Sequence, residues 1–337
     1  MSHHAKGYLV RCVHRFFLLC SWCGLSGCVS LGLQENYDSR PLRFGMIDLY
    51  SQMERHIDPG VPSWTGDWIF RRERLELVDQ SLQIAKPDML FLQNVMQRGA
   101  SAYDSDQAIL GAGALNEYQW QSHVTREHTL AGETARVAVA CAAPMRVDPF
   151  FSTRSGYWSL GADGYLFAST VIFEGLEIPV MLLRVSPGMA MQNLWYFYAY
   201  RYIRDFIEKH HLCSKRLVIS GEFWGSYGQS DYQILLDLLQ LKDTSISFCS
   251  DMTKCLTADP DNAMYQGIQD VPEAARNLRI LVHHSAQVFD AKRTLHDERK
   301  PSRQQFKEGF YGIHPLEPAP YYGWEASVRF PRCGGKE

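Results

Sequence analysis

Two carboxylates, Asp48 and Glu222, stand at the ends of strand-like runs, Leu42 to Ile47 and Arg216 to Ser220. Acidic side chains held at two strand ends suit a hard divalent cation such as magnesium or manganese, which takes oxygen ligands. A third ligand would have to come from histidine. The candidates are His123 and His128, in and beside the charged segment Ser122 to Glu127, and the adjacent pair His283 and His284. Histidines in polar segments ordinarily sit in solvent, and neighbours on a strand point to opposite faces, so the surface reading is the simpler one for all four. The thiols suggest different chemistry. Of nine cysteines, Cys249 and Cys255 lie six apart in a polar, loop-like stretch, where an oxidising compartment would let them close a small disulfide loop. Cys141 and Cys213 read as strand and loop-edge core residues, and Cys333 falls in a tail. No C-x-x-C pair follows residue 28, which argues against a structural zinc site. A P-loop, a glycine-rich dinucleotide fingerprint, H-E-x-x-H and G-x-S-x-G are all missing, so nucleotide-binding, zinc-protease and serine-hydrolase readings have no motif behind them.

Cys28 has its own setting. Lys6, Arg11 and Arg15 precede an apolar run, Phe16 to Leu25, that is too short to span a bilayer as a mature helix. The block Leu25-Ser26-Gly27-Cys28 that ends it resembles the lipobox of bacterial lipoproteins. The resemblance implies that residues 1–27 are a signal peptide, that Cys28 carries lipid, and that the protein is exported and lipid-anchored in a bacterial cell envelope. Removing 1–27 takes away three positive charges and no negative ones, moving the formal net charge from −3 to −6. That balance argues against a nucleic-acid partner on global charge. No later stretch approaches about eighteen apolar residues, so the lipid on Cys28 would be the membrane attachment.

The elements that must position Asp48 and Glu222 can be read from periodicity. After a tether at 28–40, one domain is expected over 41–331, with a tail at 332–337. Leu42 to Ile47 reads as the first strand, and Arg72 to Ala85 as a helix whose inner face carries Leu75, Val78, Leu82 and Ala85. Pro87 ends that helix before the buried strand Met89 to Leu92. Further strands are predicted at Val137 to Cys141, Tyr165 to Phe173 and Ile178 to Val185. Asn193 to Lys209 is a second helix, with Ala199, Tyr202, Ile203, Phe206 and Ile207 at helical spacing. Its aromatic run Trp195-Tyr196-Phe197-Tyr198 reads as core more readily than as an exposed binding face. Ser230 and Gln233 form a capping-box pattern for a third helix, and Leu278 to His283 and Ala326 to Phe330 are the last strands. His296 to Lys300 reads as a solvated loop. This order predicts an α/β fold, a two-sheet β-sandwich flanked by helices, better than a doubly wound parallel sheet.

Two blocks resemble the endonuclease/exonuclease/phosphatase superfamily of metal-dependent phosphodiesterases and phosphatases. Lys86 to Val95, KPDMLFLQNV, is similar to its "pDil.lQEv" block, and Leu217 to Trp224, LVISGEFW, to its "vilaGDFN" block. Ser230 to Asp243 continues as the family's "s.y..L...L.L.D" does, and Gly164 to Ala168 looks like the "kGyl.a" stretch of its sphingomyelinase-like branch. The resemblance implies a four-layer fold, and it also exposes departures. Asn94 stands where the family's metal-binding glutamate would be, and Asp48 where its first-strand asparagine would be. Glu222 and Trp224 replace the aspartate and asparagine of the second block. The two histidines of the family fall at Val185 and Tyr321, and the aspartate partnering one of them at Leu278. A positioned acid or base contributes about two to four orders of magnitude to rate, so these replacements together imply a degenerate, non-catalytic domain with no cofactor. Its partner would be a protein, lipid or glycan. The alternative is a rebuilt phosphodiesterase with magnesium or manganese on Asp48 and Glu222.

Overall fold

In the computed structural model, the residues described are 40–49, 71–98, 106–130, 133–145, 151–161, 164–185, 192–223, 232–249, 251, 255–257, 277–295, 300–304, 313–316 and 322–334. Their strands are β1 (Leu42–Asp48), β2 (Met89–Arg98), β3 (Tyr118–Leu130), β4 (Glu133–Pro144), β5 (Phe151–Ser159), β6 (Tyr165–Phe173) and β7 (Leu176–Val185), followed by β8 (Val218–Phe223), β9 (Leu241–Asp243), β10 (Leu278–His283), β11 (Gln287–Thr294), β12 (Lys300–Gln304), β13 (Ile313–Leu316) and β14 (Gly323–Arg329). The helices are α1 (Arg71–Ala85), α2 (Asp106–Ala112), α3 (Gln192–Lys209) and α4 (Gln233–Leu239).

Two six-stranded sheets result, in the orders β11-β14-β1-β2-β4-β3 and β5-β6-β7-β8-β10-β9. Each contains one parallel pair, β1 with β2 and β7 with β8. Each pair is bridged by a helix, α1 in the first sheet and α3 in the second, as parallel neighbours require. The sandwich and its flanking helices are those expected from the order of elements.

The core has three apolar layers. Alternate residues of the central strands, including Phe44, Met46, Phe91, Val180, Leu182, Val218 and Ile280, fill the space between the sheets. The opposite faces meet helices: Ile47, Leu90 and Leu92 lie beside Val78 and Leu82 of α1, and Leu183, Ile219 and Phe223 lie with Tyr196, Ile203 and Leu235 of α3 and α4. A strand with both faces covered has no reason to alternate in polarity, which is why β2 and β7 read as continuous apolar runs. The aromatic run of α3 is split by this packing. Tyr196 is fully buried, whereas Phe197 remains 39% exposed.

Several expectations need correction. Ser122 to Glu127, expected as a charged surface segment, lies within β3, which pairs with β4 from Tyr118 to Leu130. This strand and β5 form sheet edges, and an edge strand carries polar residues that conceal the apolar alternation. Lys300, placed in a loop by its charge, opens the hairpin of β12 and β13. Helix α4 has Tyr232 as its N-cap with no side-chain cap, and Ser230 of the expected capping box lies outside the described residues. Cys249 and Cys255 are joined, as their spacing allowed. Cys213 and Cys333, read as a loop-edge core residue and a tail residue, are bonded to each other across 120 residues. Cys141 remains reduced and buried, and burial pushes its thiol well above the usual range. Among the described residues no helix is long and apolar enough to cross a membrane.

Candidate functional site

The C-terminal ends of β1, β7 and β8 and the bulge of β2 meet at one end of the sandwich. Strand alternation decides which side chains face each other there. In β1, Leu42, Phe44 and Met46 point between the sheets, so Asp48 does too. The same count along β7 and β8 sends Arg184 and Glu222 into the same space and turns Val185 and Phe223 toward the helices. In β2, Gln93 faces inward by this count and Asn94 should face α1. Asn94 instead takes a left-handed backbone (φ 52°), inside a register irregularity between Leu92 and Val95. Such a bulge re-aims one side chain, and asparagine tolerates it better than most residues. Asn94 thereby joins the inter-sheet layer.

The polar groups form one connected chain. Asn94 Nδ2 donates to Asp48 Oδ1 at 2.7 Å, and Arg184 Nη1 donates to Asn94 Oδ1 at 3.4 Å. Arg184 Nε lies 2.7 Å from Glu222 Oε2, an ion pair with both partners buried. Asn277 Nδ2 reaches Glu222 Oε1 at 3.4 Å. Thr257 Oγ1 donates to Asn277 Oδ1 at 2.6 Å and accepts the backbone N–H groups of Asn277 and Leu278 at 3.0 and 3.1 Å. The chain thus runs Asp48, Asn94, Arg184, Glu222, Asn277, Thr257, and it ties the two sheets together. Gln93 Nε2 adds a direct bond to the Leu183 carbonyl at 3.2 Å.

Tyr165 borders this cluster from β6, opposite Arg184 in register. Burial pushes its phenol well above the usual range, with Asp48 and Glu222 adding to the effect and Arg184 opposing it. The phenol therefore keeps its proton at physiological pH.

The close approach of the strands depends on Gly221. Its φ is 147°, and a Cβ there would lie 1.9 Å from the Leu183 carbonyl oxygen and 3.0 Å from Gln93 Nε2. Gly221→Ala is expected to cost at least about 3 kcal/mol, by backbone strain and overpacking together. Urea denaturation followed by circular dichroism would measure it, and a midpoint unchanged from wild type would contradict this account.

Of the positions singled out by sequence, the structure brings together Asp48, Asn94 and Glu222. Leu278 is a fully buried member of the inter-sheet core, and its neighbour Asn277 supplies the polar group instead. Val185 faces the helices, and Arg184 takes the inward place beside it. Trp224, Tyr321 and Cys28 lie outside the described residues. His123 stacks on Tyr157, with ring centroids 3.9 Å apart, and burial lowers its pKa. His283 and His284 lie at the end of β10 remote from Glu222, one buried and one exposed. The backbone of His128 lies in β3, and its side chain is outside the described set.

Sequence reading missed Arg184, Asn277 and Thr257. The signal for Arg184 was present, a permanent charge inside LEIPVMLLRV, a run otherwise nearly all apolar. A cation buried in such a strand needs a partner nearby.

Magnesium or manganese demands several oxygen ligands with free lone pairs at about 2.0–2.6 Å. Here the oxygens that would serve are already engaged: Asp48 Oδ1 accepts an amide N–H, Asn94 Oδ1 accepts a guanidinium N–H, and Glu222 Oε2 is ion-paired at 2.7 Å with that same guanidinium, which does not deprotonate. A divalent ion would meet like charge within a few ångströms. The residues do not fit it. Among the described residues, no group of three His, Cys, Asp or Glu is placed to hold a metal.

No family model and no curated protein matches the sequence. Solved structures do. An endonuclease/exonuclease/phosphatase family protein from Bacteroides thetaiotaomicron superposes with a TM-score of 0.58 at 14% identity, over 86% of this chain and 98% of that one. The fold is that of the endonuclease/exonuclease/phosphatase proteins. A mannosyl-6-phosphatase from the same organism matches with a TM-score of 0.55 at 13% identity, over 85% of this chain and 99% of that one. The human nocturnin catalytic domain, with bound sulfate, matches with a TM-score of 0.55 at 12% identity, over 88% and 95% of the two chains. At such identities the likeness is one of fold.

Proposed function

We propose that this chain is an exported, lipid-anchored binding protein of the bacterial cell envelope, in which an endonuclease/exonuclease/phosphatase-like domain has lost catalysis. The observation that carries this reading is the Arg184–Glu222 ion pair. It puts a permanent organic cation among the carboxylates that a divalent metal would need, and Asn94 links that cation to Asp48 by two hydrogen bonds. Hydrolysis of a phosphodiester by this fold's resemblance-implied chemistry draws several kcal/mol from the metal, and that contribution is unavailable to a site organised around arginine.

Two further features support export. Cys213–Cys333 and Cys249–Cys255 are disulfides, which persist in oxidising compartments. The lipobox-like block ending at Cys28 supplies both signal and anchor. The bound partner is a protein, lipid or glycan.

The test is hydrolysis of bis-p-nitrophenyl phosphate, sphingomyelin and plasmid DNA with magnesium or manganese, using Glu222→Gln as control. No turnover by the folded protein is expected on any of the three. Metal-dependent turnover that disappears in Glu222→Gln would overturn the proposal and place a rebuilt site at Asp48 and Glu222.

A further inference from the structure

The polar chain of the candidate site lies at one end of the sandwich, and the chain enters and leaves at the other. Arg40, the first described residue, sits at the start of β1. Its guanidinium is 2.8 Å from Asp88, 3.4 Å from Glu174 in the β6–β7 turn, and stacked over Phe173 at 5.2 Å. Because β14 is antiparallel to β1, with Leu42 opposite Val328, the C-terminal segment reaches the same end. There Cys333 is bonded to Cys213, just before β8.

The disulfide joins two basic stretches that are remote in sequence. One is Lys209-His210-His211-Leu212-Cys213-Ser214-Lys215-Arg216, which contains no acidic residue, and the other is Arg332-Cys333. Lys209, His211 and Arg332 are exposed, and Lys215 and Arg216 half-buried. Their field is felt locally. The pKa of His210 is lowered by burial first, and then by the charges of Lys209, Arg154 and His211. At this end Asp88 and Glu174 are paired with Arg40, and Glu208, which precedes Lys209, with Arg204, so Lys209 to Arg216 with Arg332 form its cationic part.

We infer that this basic end, Lys209 to Arg216 with Arg332, is a docking surface for the anionic lipid headgroups of the membrane to which Cys28 tethers the protein. The inference rests on the anchor reading for its geometry. Eleven residues lie between Cys28 and Arg40, a span of at most about 43 Å when extended, so the tether holds this end near the bilayer. The site end then faces away from the membrane. One acyl-bearing residue supplies attachment, and the basic surface supplies orientation, since each Lys or Arg close to an anionic leaflet favours contact by roughly fivefold in partitioning.

The test uses the full chain carrying Cys28→Ala, so that no acyl group contributes, co-sedimented with phosphatidylglycerol-containing or pure phosphatidylcholine vesicles. The comparison is with the same chain carrying Lys209→Gln, Lys215→Gln and Arg332→Gln. Residues 1–27 are common to both, so the difference reads the basic end. Preference for the anionic vesicles, fading at high salt, is expected, with partitioning of the variant lower on the order of a hundredfold. Equal binding to both vesicle types, or a variant that binds like its parent, would overturn the inference. So would tighter binding to an anionic polysaccharide than to vesicles of matched charge. Palmitate labelling of the unsubstituted chain tests the anchor separately. Labelling without vesicle preference refutes the surface alone, and vesicle preference without labelling upholds the surface and removes the anchor.

Discussion

Arg184→Met is expected to destabilise the protein by about 3–5 kcal/mol, because it leaves the Glu222 carboxylate buried without its counter-charge. Glu222→Met should cost a similar amount by stranding the guanidinium. The double variant Arg184→Met/Glu222→Met is the informative one. Replacing a buried ion pair by apolar side chains of similar volume is often neutral or stabilising by about 1–4 kcal/mol, since the desolvation of two charges is no longer incurred. The double variant is therefore expected to be more stable than either single one, and near the wild type. Denaturant titrations of the four proteins close this cycle. Additive losses would show that the two side chains do not act as a pair. Asn94 and Asn277 remain in the double variant with amides that have lost their charged neighbours, so a small residual loss belongs to them.

Loss of the Cys213–Cys333 bond has the second large effect. By the chain-entropy account, closing a loop of 120 residues constrains the unfolded chain by about 5 kcal/mol, whereas the six-residue loop of Cys249–Cys255 contributes less. Cys213→Ala/Cys333→Ala should lower the thermal midpoint well below that of Cys249→Ala/Cys255→Ala. A reductant added to the wild type should reproduce the larger of the two losses. Equal midpoints for the two double variants would contradict the loop-length argument. The bond also matters for the basic end, because it ties the C-terminal segment carrying Arg332 to Cys213 within the Lys209 to Arg216 stretch. Its removal should weaken anionic-vesicle binding in the same protein.

These two expectations involve residues that were legible to different degrees. Glu222 stood out from sequence as an acid at a strand end within a motif-like block. Arg184 did not, although it sits in an apolar strand where a charge always needs explanation. What joins them is the parallel register of β7 with β8, Arg184 opposite Glu222. Asn94 was singled out for the right position, but its orientation depends on a bulge that a residue count along β2 would have placed on the helix side. Edge strands β3 and β5 were missed because half of each faces solvent and carries no apolar rhythm. Cys213 and Cys333 were separated by assumption, since connectivity among five cysteines after Cys28 cannot be derived from spacing.

From composition and periodicity alone, this chain determines the alternation of buried strands and amphipathic helices, and hence the layered sandwich. Burial requires each apolar run and each helix face to find a cover, and few arrangements provide one. By resemblance alone, Asn94, Glu222 and Val185 are positions where the sequence implies a departure from the superfamily's metal-binding blocks. Only the tertiary structure decided which side chains meet there. A guanidinium on β7, two amides on β2 and before β10, and carboxylates on β1 and β8 come from segments up to 229 residues apart, between Asp48 and Asn277. Their meeting depends on strand register, on one bulge and on the missing side chain of Gly221. These are properties of paired backbones, and no local stretch of the chain encodes them.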